Sequence, residues 1–340
     1  MRQSVDFDSC LVIGEVALAH DGSLGAAHAY IDAIASSGAD AVKFQTHIAD
    51  AESTLEEPWR VKFSKQDATR YDYWRRTEFS ESAWNGLKNH AEEKGLYFLS
   101  TPFSVDAVDM LRKVGVSAWK LASGELENLP LLDAMLQDDK PIFISSGMSA
   151  YSELDAVVER VKLAQRKFVV MQCTSSYPTG PEEVGLNVFD EFQKRYQCLY
   201  GLSDHSGDVF SSMAAVTLGA KVLEVHVSLS ADSFGPDVKA SLTPGKLRRL
   251  VQGVRFIETM LNSPVDKDQA VSRFGDIRSV FTRSLSLKKG LAKGHILEES
   301  DLILKKPGTG FHWNQRSEIV GKRLKVDVSS KELLRKEHLE

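Results

Sequence analysis

Two lysines stand where a lysine is costly. Lys43 lies inside the apolar run 41–45 and Lys120 sits in the apolar run 118–121. An ammonium group carried into such surroundings needs an anionic partner or ligand. Two readings are open at this point. The lysines hold a phosphate and a carboxylate, with hydroxyls from Thr101, Ser123, Ser145 and Ser175 as directed donors, or they are structural and pair with Glu15 and Glu125. Two histidines, His205 and His226, follow or close apolar runs near 198–202 and 222–226. Imidazoles on neighbouring strand ends can share one divalent metal, with Glu15 or water completing the shell; equally, each can be a hydrogen-bonded histidine without a metal. His20, His47, His295 and His312 show no such convergence and read as surface or loop residues. Cys173, beside an apolar run, reads as a buried thiol rather than a nucleophile.

Such residues need a scaffold that gathers them. Short apolar runs recur at 10–16, 41–45, 97–100, 118–121, 141–145, 168–172, 198–202 and 222–226. Between them, 24–37, 81–94, 105–114, 152–164, 186–196 and 209–218 carry apolar residues at i, i+3, i+4 spacing. Near-continuous apolar strands alternating with amphipathic helices indicate parallel strands covered on both faces. Eight successive units predict an α/β fold, a closed (β/α)8 TIM barrel, in preference to an open doubly wound sheet. In a barrel the C-terminal strand ends share one mouth. That places Glu15, Lys43, Gln45, Thr101, Lys120, Ser145, Ser203, His205, Glu224 and His226 at one rim, with Ser123, Glu125 and Ser175 just beyond.

One interval breaks the rhythm. Residues 46–80 are polar and aromatic, with Trp59, Phe63, Tyr71, Tyr73, Trp74, Arg75 and Arg76, and are too long for an ordinary βα loop. The segment is expected either to cover the mouth as a lid or substrate loop, or to pack as a surface excursion. After a helical pattern at 244–261 the chain turns polar and mixed in charge, so 1–262 reads as the barrel and 263–279 as a linker. Residues 280–340 carry short strand-like pieces at 284–287, 303–305 and 324–328 with several glycines, a small second domain near the lower size limit for an independent core.

Composition bounds the rest. The chain has 340 residues, 42% hydrophobic and 26% charged, with 42 basic against 47 acidic side chains and a net charge of -5. That excludes wholesale disorder and argues against a broad phosphate-neutralising surface, so no nucleic-acid partner is expected. No apolar run reaches membrane-spanning length, and the start lacks the apolar stretch of a secretory signal, which predicts a cytoplasmic protein with no membrane partner. Three cysteines, Cys10, Cys173 and Cys198, make no disulfide framework and read as buried free thiols. There is no GxGxxG after the first strand and no P-loop, which counts against a nicotinamide or ATP site.

Taken in order, the motifs carry a resemblance. They are Gly14-Glu15, His20-Asp21-Gly22-Ser23, Val42-Lys43-Phe44-Gln45-Thr46, Ser100-Thr101-Pro102-Phe103 and Lys120-Leu121-Ala122-Ser123-Gly124-Glu125. Ser145-Ser146-Gly147-Met148, Cys173-Thr174-Ser175-Ser176-Tyr177-Pro178, Leu202-Ser203-Asp204-His205, Glu224-Val225-His226, Gly235-Pro236-Asp237 and Lys305-Lys306-Pro307-Gly308-Thr309-Gly310 follow. The set resembles the sialic acid synthase family, which condenses phosphoenolpyruvate with an amino-sugar aldose. The resemblance implies a TIM barrel followed by a C-terminal antifreeze-like (SAF, β-clip type) domain that caps the partner's barrel in a domain-swapped homodimer. It implies that Lys43, Thr101, Lys120, Ser123, Ser145, Ser175 and Ser203 hold phosphoenolpyruvate and that His205 and His226 bind manganese or magnesium. Gln45, Glu125 and Asp237 would face the sugar, and Glu15 would act as a base or position water. Two departures bear on the sugar: Val16 to Ala19 reads Val-Ala-Leu-Ala, without the family's asparagine before the histidine. Lys306 replaces an arginine that reaches into the partner subunit's site, and lysine lacks the bidentate fork.

Overall fold

The computed structural model of the chain describes residues 5–340; the first four, where the expected barrel unit and its signal-free start begin, lie outside the described residues. Eight strands form a closed parallel barrel in chain order: β1 (Leu11–Ala17), β2 (Ala41–Thr46), β3 (Tyr97–Pro102), β4 (Trp119–Leu121), β5 (Ile142–Ser145), β6 (Phe168–Cys173), β7 (Leu199–Asp204) and β8 (Val222–His226), with β8 pairing back onto β1. The helices of this unit are α1 (Leu24–Ser36), α2 (Ala49–Glu52), α3 (Arg70–Thr77), α4 (Glu81–Glu93), α5 (Val105–Val114), α6 (Leu129–Met135), α7 (Tyr151–Leu163), α8 (Val188–Tyr196), α9 (Phe210–Thr217) and α10 (Pro244–Leu261).

The period-two geometry of a strand sorts its residues into two layers. One set, including Val12, Val42, Phe98, Trp119, Ile144, Val170, Leu202 and Leu223, packs with the helices in the larger core. The alternate set, Leu11, Ile13, Ala41, Tyr97, Leu99, Ala118, Phe143, Val169, Met171 and Val222, forms a separate apolar core, with Val5 and Phe7 against it. Two residues further along the same columns the filling changes from apolar to polar: Glu15, Lys43, Thr101, Lys120, Ser145, Cys173, Ser203 and Glu224. Register does the rest, setting Glu15 beside both Lys43 and His226, Gln45 beside Thr101, and Ser203 beside Glu224.

The long interval after β2 is a packed excursion that holds α2 and α3. Thr69 and Asp72 close a reciprocal capping box at the start of α3. Arg76 ties the segment down, with Nη2 2.8 Å from both Asp21 and Asp67. Tyr73 and Trp74 pack there with Leu18, Trp59, Phe63 and Tyr71. Helix α6 falls where no helical period was evident; its seven residues are too few to show one, but Asn128 caps it and Pro130 occupies its first turn.

The chain divides into two compact units, one ending at Asn262 and the other running Ser263–Glu340. In the second, the segment expected as linker is largely helical. Asp266 accepts backbone N–H bonds at 2.9 and 3.1 Å to start α11 (Lys267–Ala270), and α12 (Gly275–Phe281) follows. Strands β9 (Ser284–Leu287) and β10 (Leu302–Lys305) pair antiparallel, and α13 (Arg316–Ile319) comes after them. The expected strand at 324–328 is reduced to isolated bridges, Leu324 to Leu339 and Val328 to Leu291. Leu285, Leu287, Leu297, Leu302, Ile319, Leu324, Leu334 and Leu339 form this unit's own core. Among the described residues, no helix is long and apolar enough to cross a membrane.

Gly201 marks a tight point in the barrel wall, since a Cβ there would come 2.3 Å from the Val222 carbonyl oxygen. Gly201→Ala forces the β7 and β8 backbones apart and should cost about 1–3 kcal/mol. Urea unfolding should show a lower midpoint with the slope retained; an unchanged midpoint would contradict the close approach.

Candidate active site

The polar layer at the top of the barrel opens into a cavity of about 690 Å³. On its floor, Lys43 Nζ lies 2.9 Å from Glu15 Oε1, 2.8 Å from Thr101 Oγ1 and 3.7 Å from Glu224 Oε1. Lys120 Nζ lies 2.7 Å from the same Glu224 oxygen, which also accepts from Ser203 Oγ at 3.3 Å. All four charged side chains are at most 5% exposed. Burial raises the Glu15 carboxyl above its ordinary range despite Lys43. Burial works the same way on Glu224, but Lys120 and Lys43 together outweigh it and hold that carboxyl low. Burial opposes the charge on Lys43 too, yet Glu15 and Glu224 overcome it and raise its pKa.

The floor is incompletely satisfied. Glu15 Oε2, Glu224 Oε2 and Ser145 Oγ are buried without hydrogen-bond partners in the protein. Beside them is a cradle around Gly147, where a Cβ would meet Ser123 Oγ and Ser175 Oγ at 2.8 Å and Cys173 Sγ at 3.1 Å. Hydroxyls converging on such a space, next to two buried ammonium groups, form a site for an oxyanion.

At the rim, the rings of His205 and His226 are 5.3 Å apart, and Tyr177 stacks on His205 at 4.1 Å and meets His226 edge-on at 5.8 Å. Nδ1 of His205 lies 2.8 Å from the Thr174 carbonyl. Only a protonated Nδ1 satisfies that contact, so Nε2 of neutral His205 carries the lone pair. Burial holds His226 below its ordinary pKa and therefore neutral. These two imidazoles suit a divalent cation. Among the described residues no group of three or more histidine, cysteine or acidic side chains is arranged as a cation site, and Glu15 is engaged by Lys43. A metal held there would need further ligands besides these two imidazoles.

The outer wall comes from the excursion and the loops after β4 and β8. His47 is clamped between Trp74 and Phe103, at 4.0 and 4.3 Å with both ring pairs 9° from parallel. Its Nδ1 bonds Glu52, and its Nε2 faces Gln45 Oε1 at 3.5 Å. Arg60 pairs with Asp237 at 2.5 Å and lies 4.5 Å over the Tyr177 ring. Glu125 is half-buried and accepts from Asn128 at 2.8 Å; burial raises its carboxyl pKa.

Every expected site residue of the barrel lines this one cavity: Glu15, Lys43, Gln45, Thr101, Lys120, Ser123, Glu125, Ser145, Ser175, Ser203, His205, His226 and Asp237. Lys306 lies in the second unit, 5.0 Å over the Phe281 ring. Several expectations need correction. The acid that meets Lys120 is Glu224 rather than Glu125; its signal was a charged residue inside Val-Leu-Glu-Val-His, two positions before His226 and so on the same strand face. His20 and His47 are buried, and His47 lines the cavity. Cys173 is buried as expected but also borders the cavity; burial, the largest influence, would raise its thiol pKa, but His205, Ser123 and Lys120 together outweigh it and lower it. Cys198 is only half-buried.

A parallel barrel whose mouth combines buried lysines, converging hydroxyls and a pair of imidazoles has the layout of a barrel enzyme acting on small molecules. The chain belongs to the NeuB family: that family's model matches residues 30–266, and a SAF domain model matches 282–340. It is a carbon–carbon bond-forming transferase of the N-acetylneuraminate synthase type. It is 34% identical to the N,N'-diacetyllegionaminic acid synthase of Legionella pneumophila, over 98% of this chain and 95% of that one. It is likewise 34% identical to human N-acetylneuraminate-9-phosphate synthase, over 96% and 92%. Among solved structures, the N-acetylneuraminic acid synthetase of Leptospira borgpetersenii, in complex with citrate, superposes with a TM-score of 0.69 at 26% identity, covering 80% of this chain and 93% of that one.

Two outcomes are expected from this geometry. Gly147→Ala fills the cradle with a methyl group, so anion affinity should fall at least ~10-fold while the unfolding midpoint changes little, as calorimetric titration and urea unfolding would report. His20 supplies a pH test. Burial, then the charges of His47 and Arg76, pushes its pKa down to about 3. Below about pH 6.5 the unfolded chain takes up a proton that the folded chain refuses, so stability falls with pH by up to ~1.4 kcal/mol per unit toward pH 3. His20→Asn should remove that part of the slope; parallel stability–pH curves for the two proteins would refute it.

Proposed function

We propose that the protein condenses phosphoenolpyruvate with an N-acylated mannosamine-type aldose, giving a nine-carbon nonulosonic acid and phosphate. The observation that carries this reading is the floor: two buried lysines beside a hydroxyl cradle, with the imidazoles of His205 and His226 above them at the strand ends. Phosphoenolpyruvate carries a phosphate and a carboxylate a few ångströms apart, and the floor offers two ammonium groups and several hydroxyls over a similar space. The names of the relatives, legionaminic, pseudaminic and neuraminic acid synthases, support the same class of product.

Lys43, Thr101, Lys120, Ser123, Ser145, Ser175 and Ser203 hold the phosphate and carboxylate and keep C3 of the enol pointing to the mouth. Gln45, Glu125 and Asp237 orient the open-chain aldose. His205 and His226 would hold a manganese or magnesium ion, which when bound would supply Lewis-acid chemistry at the aldehyde. C3 attacks the aldehyde carbon with the C2–C3 π pair, so the new C–C bond forms, C2 is left electron-deficient, and the aldehyde oxygen becomes an alkoxide that ends as a hydroxyl by receiving the proton Glu15 takes from water. Water adds at C2, and Glu15, with one oxygen uncommitted, takes its proton. The resulting tetrahedral centre loses phosphate by C–O cleavage to leave the 2-keto acid. The lysines already paired with the phosphate stabilise its departure without reorganising.

The finer assembly reading is a homodimer in which the SAF unit of one chain caps the barrel of the other and brings the partner subunit's Lys306 to the sugar. It is supported by exposed Phe274, Ile277, Val280 and Phe281 on the short helices before β9, each more than half exposed.

Purified protein with phosphoenolpyruvate, manganese and a panel of N-acyl mannosamines should release phosphate and 2-keto acid only when an aldose is present. No aldose-dependent release from any member sinks the condensation. His205→Ala should lower kcat at least ~100-fold with its circular dichroism unchanged, as loss of a Lewis acid predicts. A monomeric mass at micromolar concentration would refute the dimer.

A further inference from the structure

The charges of the cavity separate by depth. On the floor, two lysines balance two carboxylates. On the outer wall, where the second substrate must lie, the balance is negative. Asp21, Glu52, Glu57, Glu125 and Asp237 all line it with Arg60 and Arg70; Asp21 is also held by Arg76 at 2.8 Å, and Glu52 is bonded by His47. Both lining guanidinium groups are committed. Arg60 meets Asp237 at 2.5 Å. Arg70 meets Glu57 at 3.2 Å, donates to the Pro58 carbonyl at 3.2 Å and lies over Trp74. Glu125 has an amide partner, Asn128, and no cation within ion-pair distance among the described residues. The rest of the wall is aromatic, with Trp59, Phe63 and Tyr73 packed in contact and Phe63 5.6 Å from Phe234.

We propose that the aldose this protein accepts is uncharged: an N-acylated hexose whose C6 end carries a hydroxyl or a methyl group, not a phosphate. The inference rests on the condensation reading and names the substrate class of its outer site. Hydroxyl and amide N–H groups of such a sugar are donors, and Glu125 is an acceptor with no cation beside it among the described residues. Its acyl methyl and ring C–H faces match the aromatic wall. A phosphate dianion on the same wall would face surplus carboxylates and gain a cation only by taking an arginine from its acid. A single lysine delivered by a partner subunit, Lys306, would leave five carboxylates against four cations with Arg60, Arg70 and Arg76 counted, so the sign does not change.

The test compares N-acetylmannosamine, a 2,4-diacetamido-2,4,6-trideoxy hexose and N-acetylmannosamine 6-phosphate as co-substrates of the whole protein. Phosphoenolpyruvate and manganese are held fixed, and phosphate release is read. The better uncharged sugar should exceed the 6-phosphate at least ~30-fold in kcat/KM, as one or two unfavourable charge contacts predict. A 6-phosphate that matches or surpasses the uncharged sugars overturns the proposal and leaves the condensation standing. Calorimetric binding of N-acetylmannosaminitol and its 6-phosphate, neither of which can react, decides the matter without turnover. If no aldose releases phosphate, the condensation fails, and the proposal stands or falls on whether the uncharged alditol binds more tightly. Glu57→Gln frees Arg70 and should move the phosphate-to-uncharged ratio ~10-fold toward the phosphate, a shift that a merely structural role for Glu57 would not produce. An unmoved ratio overturns the charge argument.

Discussion

Everything at the mouth depends on the sharing of Glu224 by two lysines. Lys43 and Lys120 both reach one carboxylate oxygen, and Lys43 reaches Glu15 as well, so four charges with little access to water form a neutral set. Such a set is tolerated only when every member is paired, because removing one partner leaves a buried charge uncompensated at a cost of about 3–5 kcal/mol. The strand register makes the pairing possible, setting Glu15 opposite Lys43 on β1 and β2 and Ser203 opposite Glu224 on β7 and β8. The apolar layers beneath fill the barrel and keep the strands at that register. The buried carboxylate oxygens and the Ser145 hydroxyl that remain unpartnered show a set balanced in charge but open in hydrogen bonds. That is the condition in which a ligand anion with its own donors and acceptors is taken up.

Floor and wall are made differently. The floor consists of side chains on strands, which the barrel holds rigidly, whereas the wall is supplied by the excursion after β2 and the loops after β4 and β8. The His47 clamp joins the two, since it is stacked by Trp74 of α3 and by Phe103 just beyond β3 while facing Gln45 of β2. A wall of aromatic rings and mostly paired acids above a floor of buried lysines and carboxylates gives one mouth two chemically unlike surfaces.

Much of this was legible before any coordinates. Apolar runs marked all eight barrel strands, because a parallel strand covered on both faces cannot hide its composition. Lys43 and Lys120 announced themselves by being out of place. Glu224 was legible as a rim residue beside His226, but its pairing was not, since that role exists only through two lysines each more than a hundred residues away in the chain. His47 was misread for a related reason: its burial comes from Trp74 and Phe103, which no local pattern connects to it. Helix α6 and the helical pieces at 267–281 are too short for periodicity to register, and only their caps, Asn128 and Asp266, gave local notice.

The apolar core below the polar layer, with Val5 and Phe7 packed against it, has a consequence for the order of events. The space above it is entered from the strand ends alone. A ligand seated on the lysines lies deeper than one resting against Glu125 and the aromatic wall, so the deeper guest must arrive first and cannot depart past the shallower one. Catalysis in such a vessel is a queue, and its sequence is set by which residues happen to lie lower along the barrel axis.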